Sequence, residues 1–449
     1  MSIILNKAEL LETNPELRGP ALEILEAGLE AIDTEKILRK KVSVSDGKLF
    51  IKNSDLESIS ISLPSPASRG GAGGEVYFIG IGKCALDGAK VIEGILGGYL
   101  TQGMVIDVKD ESEALTLKKI QYFKGTHPLP SEQNVEATRQ ILKMVHGVTE
   151  KDLIITLISG GGSALFELPI EGVSLKDIID KTKELIARGA DIYELNAARK
   201  EMSQVKGGKF AEICRPAKIV SLLFSDVLGN DISVIASGPT VIESVNKNNS
   251  LRSQDVSHIP ARHDGESGGS LQEYSEMPTN ILLVSNHDAL EAMKIKSEEL
   301  GFSTTIETEK FSGNASELGE ELARRSSKNK TCILFGGETT VKLPAFAPGL
   351  ELQRGKGGRN QEMALSALSH MSSDTVLICA SSDGFDNTDH AGAIVDNALF
   401  QKSKDLNLST EEYLQNSDSY NFFKKISDGA IYTGKLGSNV SDLCIILYK

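Results

Sequence analysis

The chain has no tryptophan, and phenylalanine and tyrosine together make up only 5% of its 449 residues. Base-stacking platforms of the kind single-stranded nucleic acids require are therefore not expected. Positive charge is also short, with 48 Lys and Arg against 62 Asp and Glu and a net charge of −14. That balance argues against a general nucleic-acid binder, although a local cluster of cations can still reverse the field inside one cleft. The 5 cysteines are scattered, with no CxxC pair and no Cys/His ligand spacing. Such usage fits buried free thiols in a reducing cytoplasm rather than a disulfide framework or a zinc site. No apolar run approaches the roughly 18 residues of a membrane helix, and the first residues lack the pattern of a secretory signal. A cytoplasmic protein is expected.

Glycine, in contrast, is plentiful, with 42 residues, many of them clustered. Clustered glycine in a non-repetitive chain marks backbone pressed against something or held at positive φ. The length calls for two or three domains. Short apolar runs alternate with helical patterns from residue 75 onward. The expected strands are 75–80, 103–108, 152–158 and 218–225, then 280–284, 331–335, 375–380 and 442–447. This rhythm predicts an α/β chain of two domains, each a largely parallel sheet flanked by helices, the first Rossmann-like. The polar stretch 244–278 reads as a linker or insertion between a domain at 1–243 and one at 279–449.

In open parallel sheets ligands bind at the carboxyl ends of strands, so the residues there carry the functional reading. Gly80-Ile81-Gly82-Lys83-Cys84-Ala85 fits a loose dinucleotide turn, with a lysine placed to meet an anion at a helix start; an ordinary tight turn is the plainer alternative. Ser159-Gly160-Gly161-Gly162-Ser163 can form a nest of backbone N–H groups for phosphate or carboxylate. Asn196, Arg199, Ser203 and Lys206 fall on one face of an expected helix over 194–213; the alternative is a solvated basic face, weakened by the cost of Gly207-Gly208 inside a helix. Asp226 closes a strand and suits a metal or a proton. Glu338 follows another strand, in Gly336-Gly337-Glu338-Thr339-Thr340. The run Gly355-Lys356-Gly357-Gly358-Arg359-Asn360 opens a helix. Asp383 and Asp386 lie in an acidic loop whose spacing is not that of an EF-hand but suits Mg²⁺, which takes one or two carboxylates plus phosphate oxygens. Thr433-Gly434-Lys435-Leu436-Gly437-Ser438-Asn439 is a further glycine and hydroxyl loop. It begins like a P-loop but has Leu436 where Ser or Thr should hold Mg²⁺. Anion loops, cations and carboxylates at several strand ends fit phosphoryl transfer, which needs positioning and charge neutralisation more than a nucleophile. They do not name the acceptor.

Taken together and in order, these segments resemble the glycerate 2-kinase family, whose C-terminal half is called the multi-organism fragment with rich leucine domain. The matching stretches are 80–85, 127–130, 158–165 (ISGGGSAL), 195–211 (LNAARKEMSQVKGGKFA), 225–240 (SDVLGNDISVIASGPT), 336–340 (GGETT), 355–362 (GKGGRNQE), 382–396 and 433–443. The resemblance implies ATP- and Mg²⁺-dependent phosphorylation of D-glycerate at the 2-hydroxyl, in a cleft between two α/β domains. It maps the family's basic residues onto Lys83 and Arg359, and its N-x-x-R…K-G-G element onto Asn196, Arg199 and Lys206. Lys83, Asp226 and Arg359 are then the expected catalytic residues. Residues 159–163, Asn196, Arg199, Lys206, Glu338, Gly357, Gly358 and Asn360 are expected to bind substrate or phosphate, and Asp226, Asp383 and Asp386 to hold the metal, with base and metal-ligand roles open among the carboxylates. The expected partners are ATP and D-glycerate, with no nucleic acid and no membrane, in a monomer or homodimer. The family's Gly-Pro-Thr-Gly-Thr-Asn becomes Gly434-Lys435-Leu436-Gly437-Ser438-Asn439 here, and its acidic loop is one residue shorter. An NAD(P)H-dependent hydroxypyruvate reductase and a non-catalytic sensor of phosphorylated metabolites are the alternatives. The first lacks an acidic residue at the usual spacing, Asp107 lying 25 residues past Gly82.

Overall fold

The computed structural model describes residues 2–53, 57–64, 73–242, 277–327, 329–342 and 355–449. A small antiparallel sheet comes first, built from β1 (Val42–Ser45), β2 (Lys48–Lys52) and β3 (Ser58–Ser62). Asp46 and Gly47 turn β1 into β2, both at positive φ (50° and 69°), as a tight hairpin turn requires.

The first large sheet contains β4 (Val76–Ile81), β5 (Gln102–Asp107), β6 (Ile120–Lys124), β7 (Leu153–Ile158), β8 (Lys218–Phe224) and β9 (Thr279–Val284). Its order is β6-β5-β4-β7-β8-β9 and every pairing is parallel. This is the doubly wound order with its switch point between β4 and β7. Both strands are buried at every residue, which is why they read as unbroken apolar runs. The expectation of a Rossmann-like first half is met.

The second sheet contains β10 (Ser303–Phe311), β11 (Thr331–Gly337), β12 (Thr375–Ser381), β13 (Gly392–Asp396), β14 (Ala430–Ile431) and β15 (Asp442–Tyr448), ordered β10-β11-β15-β12-β13-β14. Here the expectation of a largely parallel sheet needs correction. Only β10 and β11 run parallel; the other pairings are antiparallel. The physical reason is connection length. The loop from β12 to β13 carries no helix, and a chain returning without a helical crossover lays its next strand antiparallel.

The domain limits also shift. β9, expected to open the second domain, pairs with β8 and closes the first sheet. The linker or insertion expected at 244–278 lies, up to residue 276, outside the described residues. The chain crosses over at Ser285, and the helix Asn286–Glu299 packs on the second sheet. The N-terminal helix Pro15–Ala31 packs there too, against that helix and against β12 and β15. Gly28 permits this approach, since a Cβ there would stand 2.6 Å from Met293 Cγ. Arg18 fixes it: fully buried, it grips Asp396 through Nε–Oδ2 at 2.8 Å and Nη2–Oδ1 at 3.0 Å. The two open sheets face each other with their functional strand ends along a shared cleft.

Candidate functional site in the interdomain cleft

Lys83 lies in the turn between β4 and the helix Ala85–Leu96, and the residues after β7 fold against it. Lys83 N donates to Gly160 O at 3.0 Å, and Cys84 N to Ser159 Oγ at 3.3 Å. Gly82 sits at φ 119° and a Cβ on it would lie 2.2 Å from Ser159 Oγ, so the two loops interlock only without side chains there. Gly160 does the same for Asp226: its absent Cβ leaves room for Asp226 Oδ2, which would stand 2.0 Å away. Gly161, at φ 83°, lies under the Lys83 stem, 3.1 Å from Lys83 Cγ to a notional Cβ.

The second domain supplies the opposite wall. Lys83 Nζ meets Asp383 Oδ2 at 3.5 Å across the cleft. Ser441 Oγ donates to the Asp226 carbonyl at 2.6 Å, a second tie between the halves. Asp226 is crowded by protein, and burial first, then the Glu338 charge, raises its pKa to about 6 against the opposing pull of Lys83. His127 lies beside Gly161, its Cδ2 3.3 Å from a notional Cβ there. Burial, then the Lys83 and Arg199 cations, lowers its pKa to about 4, so it is neutral at ordinary pH.

Two cavities flank the Lys83–Asp383 pair. The larger, about 620 Å³, lies over the ends of β7 and β8; Ser163, Arg199, Asp226, Tyr193, Lys310 and Glu338 are among its lining residues. The smaller, about 270 Å³, lies over β4 and β5 and includes Lys83, Asp383, Phe385, Lys435 and Ser438 in its wall. Ser163 Oγ is 2.9 Å from Ser237 Oγ, which in turn donates to Asn196 Oδ1 at 2.7 Å. Asn196 is thus buried behind the wall and orients it without facing the cavity.

Arg359 reaches the larger cavity through Glu338. Its Nε donates to Asp442 Oδ2 at 2.5 Å and its Nη2 to Asp442 Oδ1 at 3.0 Å, while Nη1 meets Glu338 Oε1 at 2.5 Å. Burial opposes its charge, but the two carboxylates outweigh that and push its pKa further up. Burial carries Asp442 up to about 6 despite the arginine.

This geometry gives five of the expected site residues structural partners. Asp386 is not placed to hold a metal. It is buried, and its oxygens accept from Asn360 N, Asn360 Nδ2, Gln361 N and Gln361 Nε2 at 2.8–3.2 Å, capping the helix Arg359–Leu368. Asn360 is itself fully buried behind that cap. Gly357 and Gly358 are glycines for packing, since a Cβ on them would fall 2.1 Å from Ser419 Oγ and from Asp386 O respectively. Lys206 is not on the helical face of Arg199. That helix ends at Met202, the chain turns through Gly207 and Gly208 at positive φ, and a short helix resumes at Lys209. Lys206 is fully buried and paired with Glu167 at 2.9 Å.

The sequence reading missed Lys310, Ser312, Tyr193 and Asp442. Lys310 and Ser312 follow from β10, an edge strand whose charged, Thr-rich run resembles surface. Tyr193 gave no signal beyond an apolar pair, Ile192-Tyr193, early in its helix. Asp442 opens β15 as the other carboxylates close their strands, and an antiparallel register would have revealed it.

Asp107, which ends β5, is fully buried and accepts from Leu86 N at 3.0 Å. It caps the helix that follows Lys83 and is closed to a ribose.

No helix among the described residues is long and apolar enough to cross a membrane. Among the same residues no three His, Cys, Asp or Glu side chains gather as a metal cage.

Comparison with known proteins gives two family matches: a domain of unknown function, DUF4147, over residues 20–263, and the MOFRL family over residues 331–442. The chain is 33% identical to a glycerate 2-kinase of Pyrococcus horikoshii, covering 96% of this chain and 97% of that one. It is 37% identical to a D-glycerate 2-kinase of Thermotoga maritima over 82% of this chain and 90% of the relative. The crystal structure of a glycerate kinase from Thermotoga maritima superimposes with a TM-score of 0.76 at 32% identity, covering 97% of this chain and all of that one.

Proposed function

The chain belongs to the glycerate 2-kinase family and is a kinase; we propose that it moves the γ-phosphoryl group of ATP to the 2-hydroxyl of D-glycerate within this cleft. The observation that carries the reading is the meeting of Lys83, Asp226 and Asp383 from the two halves of the chain, at the doubly wound switch point.

Phosphoryl transfer passes through a loose transition state with charge spread over the transferring group. Lys83 supplies a point charge to that group, and the N–H groups of Gly160, Gly161 and Ser163 supply a cradle, those of Ser159 and Gly162 being taken by the carbonyls of Ile81 and Ser159. Asp226 takes the proton of the attacking hydroxyl. Its oxygen–phosphorus bond forms as the bond to the ADP oxygen breaks, and the electron pair leaves with ADP. A carboxylate with a pKa near 6 is a better base than an ordinary aspartate and is still ionised at pH 7. Arg199, largely buried with its pKa lowered by desolvation, lines the larger cavity as a further anion contact.

Mg²⁺ fits the residues present. Asp226 accepts no hydrogen bond from a protein side chain among the described residues, and its neighbours Asp383 and Glu338 are also acidic. Mg²⁺ takes one or two carboxylates and completes its shell with water and phosphate oxygens, so a protein cage is not needed. Asp383 or Glu338 would hold it, and it would neutralise charge on the phosphates, while Asp226 keeps the proton-accepting role. Roles for the individual residues, and a cytoplasmic location fitting five buried free cysteines, belong to the same proposal.

The direct test is ADP release that depends on D-glycerate. Oxidation of NADH or NADPH by hydroxypyruvate in place of that release would overturn the reading. So would ligand binding with no turnover.

A further inference from the structure

The Lys83–Asp383 pair divides the cleft into two chambers that differ in size, charge and apolar lining. We propose that the smaller chamber, walled by Lys435, Ser438 and Lys83, is the glycerate subsite, and that the larger one takes the nucleotide. The assignment rests on the kinase reading and deepens it.

Size separates the two substrates. Cavities that hold drug-sized ligands run from about 300 to 1,000 Å³. The larger chamber, at about 620 Å³, falls inside that range, and the smaller, at about 270 Å³, falls below it. A nucleoside triphosphate needs the first, and a three-carbon acid is contained by the second.

Charge and apolar surface agree. The larger chamber sets Arg199 and Lys310 opposite the carboxylates Asp226 and Glu338, cations for a polyanion and acids for its metal, beside Gly161 and Ser163 of the glycine loop. At its mouth Ile192 and Tyr193 are 45% and 57% exposed, large apolar surface that a base would cover. The smaller chamber adds one cation to Lys83, namely Lys435, which matches a single carboxylate.

An independent observation points to a small polar ligand. Ser438 is 5% exposed, lines the smaller chamber, and its Oγ has no hydrogen-bond partner. A buried hydroxyl left unmade is costly, and an acceptor carboxylate or hydroxyl supplies what it lacks. Asn439 Oδ1 already accepts from Ser441 N at 3.1 Å, so the side-chain amide has its N–H groups left to donate. Lys435 stands where the family pattern has proline, so this part of the subsite is particular to the chain. Lys83 lies on the boundary, its stem over Gly161 of the larger chamber and its ammonium against Asp383 of the smaller. The two substrates would then meet at Lys83, with the 2-hydroxyl of glycerate turned across this boundary toward Asp226, which lines the larger chamber.

Steady-state kinetics of Lys435→Met, Ser438→Ala and Tyr193→Ala, with ATP and D-glycerate varied in turn, test the assignment. Lys435→Met should raise KM for D-glycerate about ten- to hundredfold, the loss of one charge-assisted contact, and leave KM for ATP unchanged. Ser438→Ala should act in the same direction. Tyr193→Ala should raise KM for ATP alone. The unchanged constant in each variant also reports that the protein is folded. A rise in KM for ATP with Lys435→Met or Ser438→Ala, or no change in either constant, overturns the subsite assignment while the kinase reading stands. Absence of glycerate-dependent ADP release from the unmodified enzyme overturns both.

Discussion

Lys83 from the first domain and Asp383 from the second meet at 3.5 Å across the cleft, neither of them fully buried. A half-buried pair of this kind contributes little to stability, so its place at the junction of two cavities speaks for catalysis. Lys83→Met should therefore lower kcat by about 100- to 1,000-fold, the cost of removing one preorganised charge, with thermal unfolding unchanged. ADP release and calorimetry on the same preparation check both halves of this expectation.

Asp226 sets an acid limb. Its pKa is about 6 in the free enzyme, so kcat/KM should rise with pH through that value as the carboxylate ionises and becomes able to accept a proton. Glu338 raises this pKa and Lys83 lowers it. Glu338→Gln should shift the limb to lower pH, and Lys83→Met should shift what activity remains to higher pH. Profiles measured in constant ionic strength buffers decide it; a limb that neither substitution moves would assign the titration to another group.

Asp386 separates structure from metal binding. It caps a helix with both oxygens, so Asp386→Ala should cost about 1–2 kcal/mol or more of stability. The Mg²⁺ concentration giving half-maximal activity should stay where it is, and Asp383→Asn should raise it. Urea unfolding and a metal titration of each variant check this pair of outcomes.

Lys206 and Glu167 form a fully buried ion pair, and Glu167 Oε1 has no other partner. Breaking it from one side leaves an uncompensated charge, so Lys206→Met should destabilise by about 3–5 kcal/mol. The double variant Lys206→Met/Glu167→Leu should recover most of that loss. Equilibrium denaturation of the three proteins measures the coupling; a Lys206→Met variant of full stability but no substrate affinity would return this lysine to the binding site.

The parallel sheet was readable because burial on both faces writes an unbroken apolar run, as in 153–158 and 218–224. Its glycine loops were readable because close approach leaves no alternative residue, as Gly82 against Ser159 shows. Direction in the second sheet was not, because apolar runs such as β12 and β15 read alike whether they lie parallel or antiparallel. β10 was lost for the opposite reason, since its polar edge resembles a surface helix or loop. Residue type also misled where burial decides role. An aspartate three residues from another looked like a metal ligand, yet Asp386 spends its lone pairs on a helix start. A lysine at helical spacing from Arg199 looked like an anion contact, but the turn at Gly207 and Gly208 drives it into the core.

The central claim is transfer to the 2-hydroxyl of glycerate. Phosphorus NMR of the products formed from ATP and D-glycerate tests it most directly. The account predicts the signals of ADP and 2-phosphoglycerate in equal amounts; 3-phosphoglycerate as the product, or unchanged ATP, would contradict it.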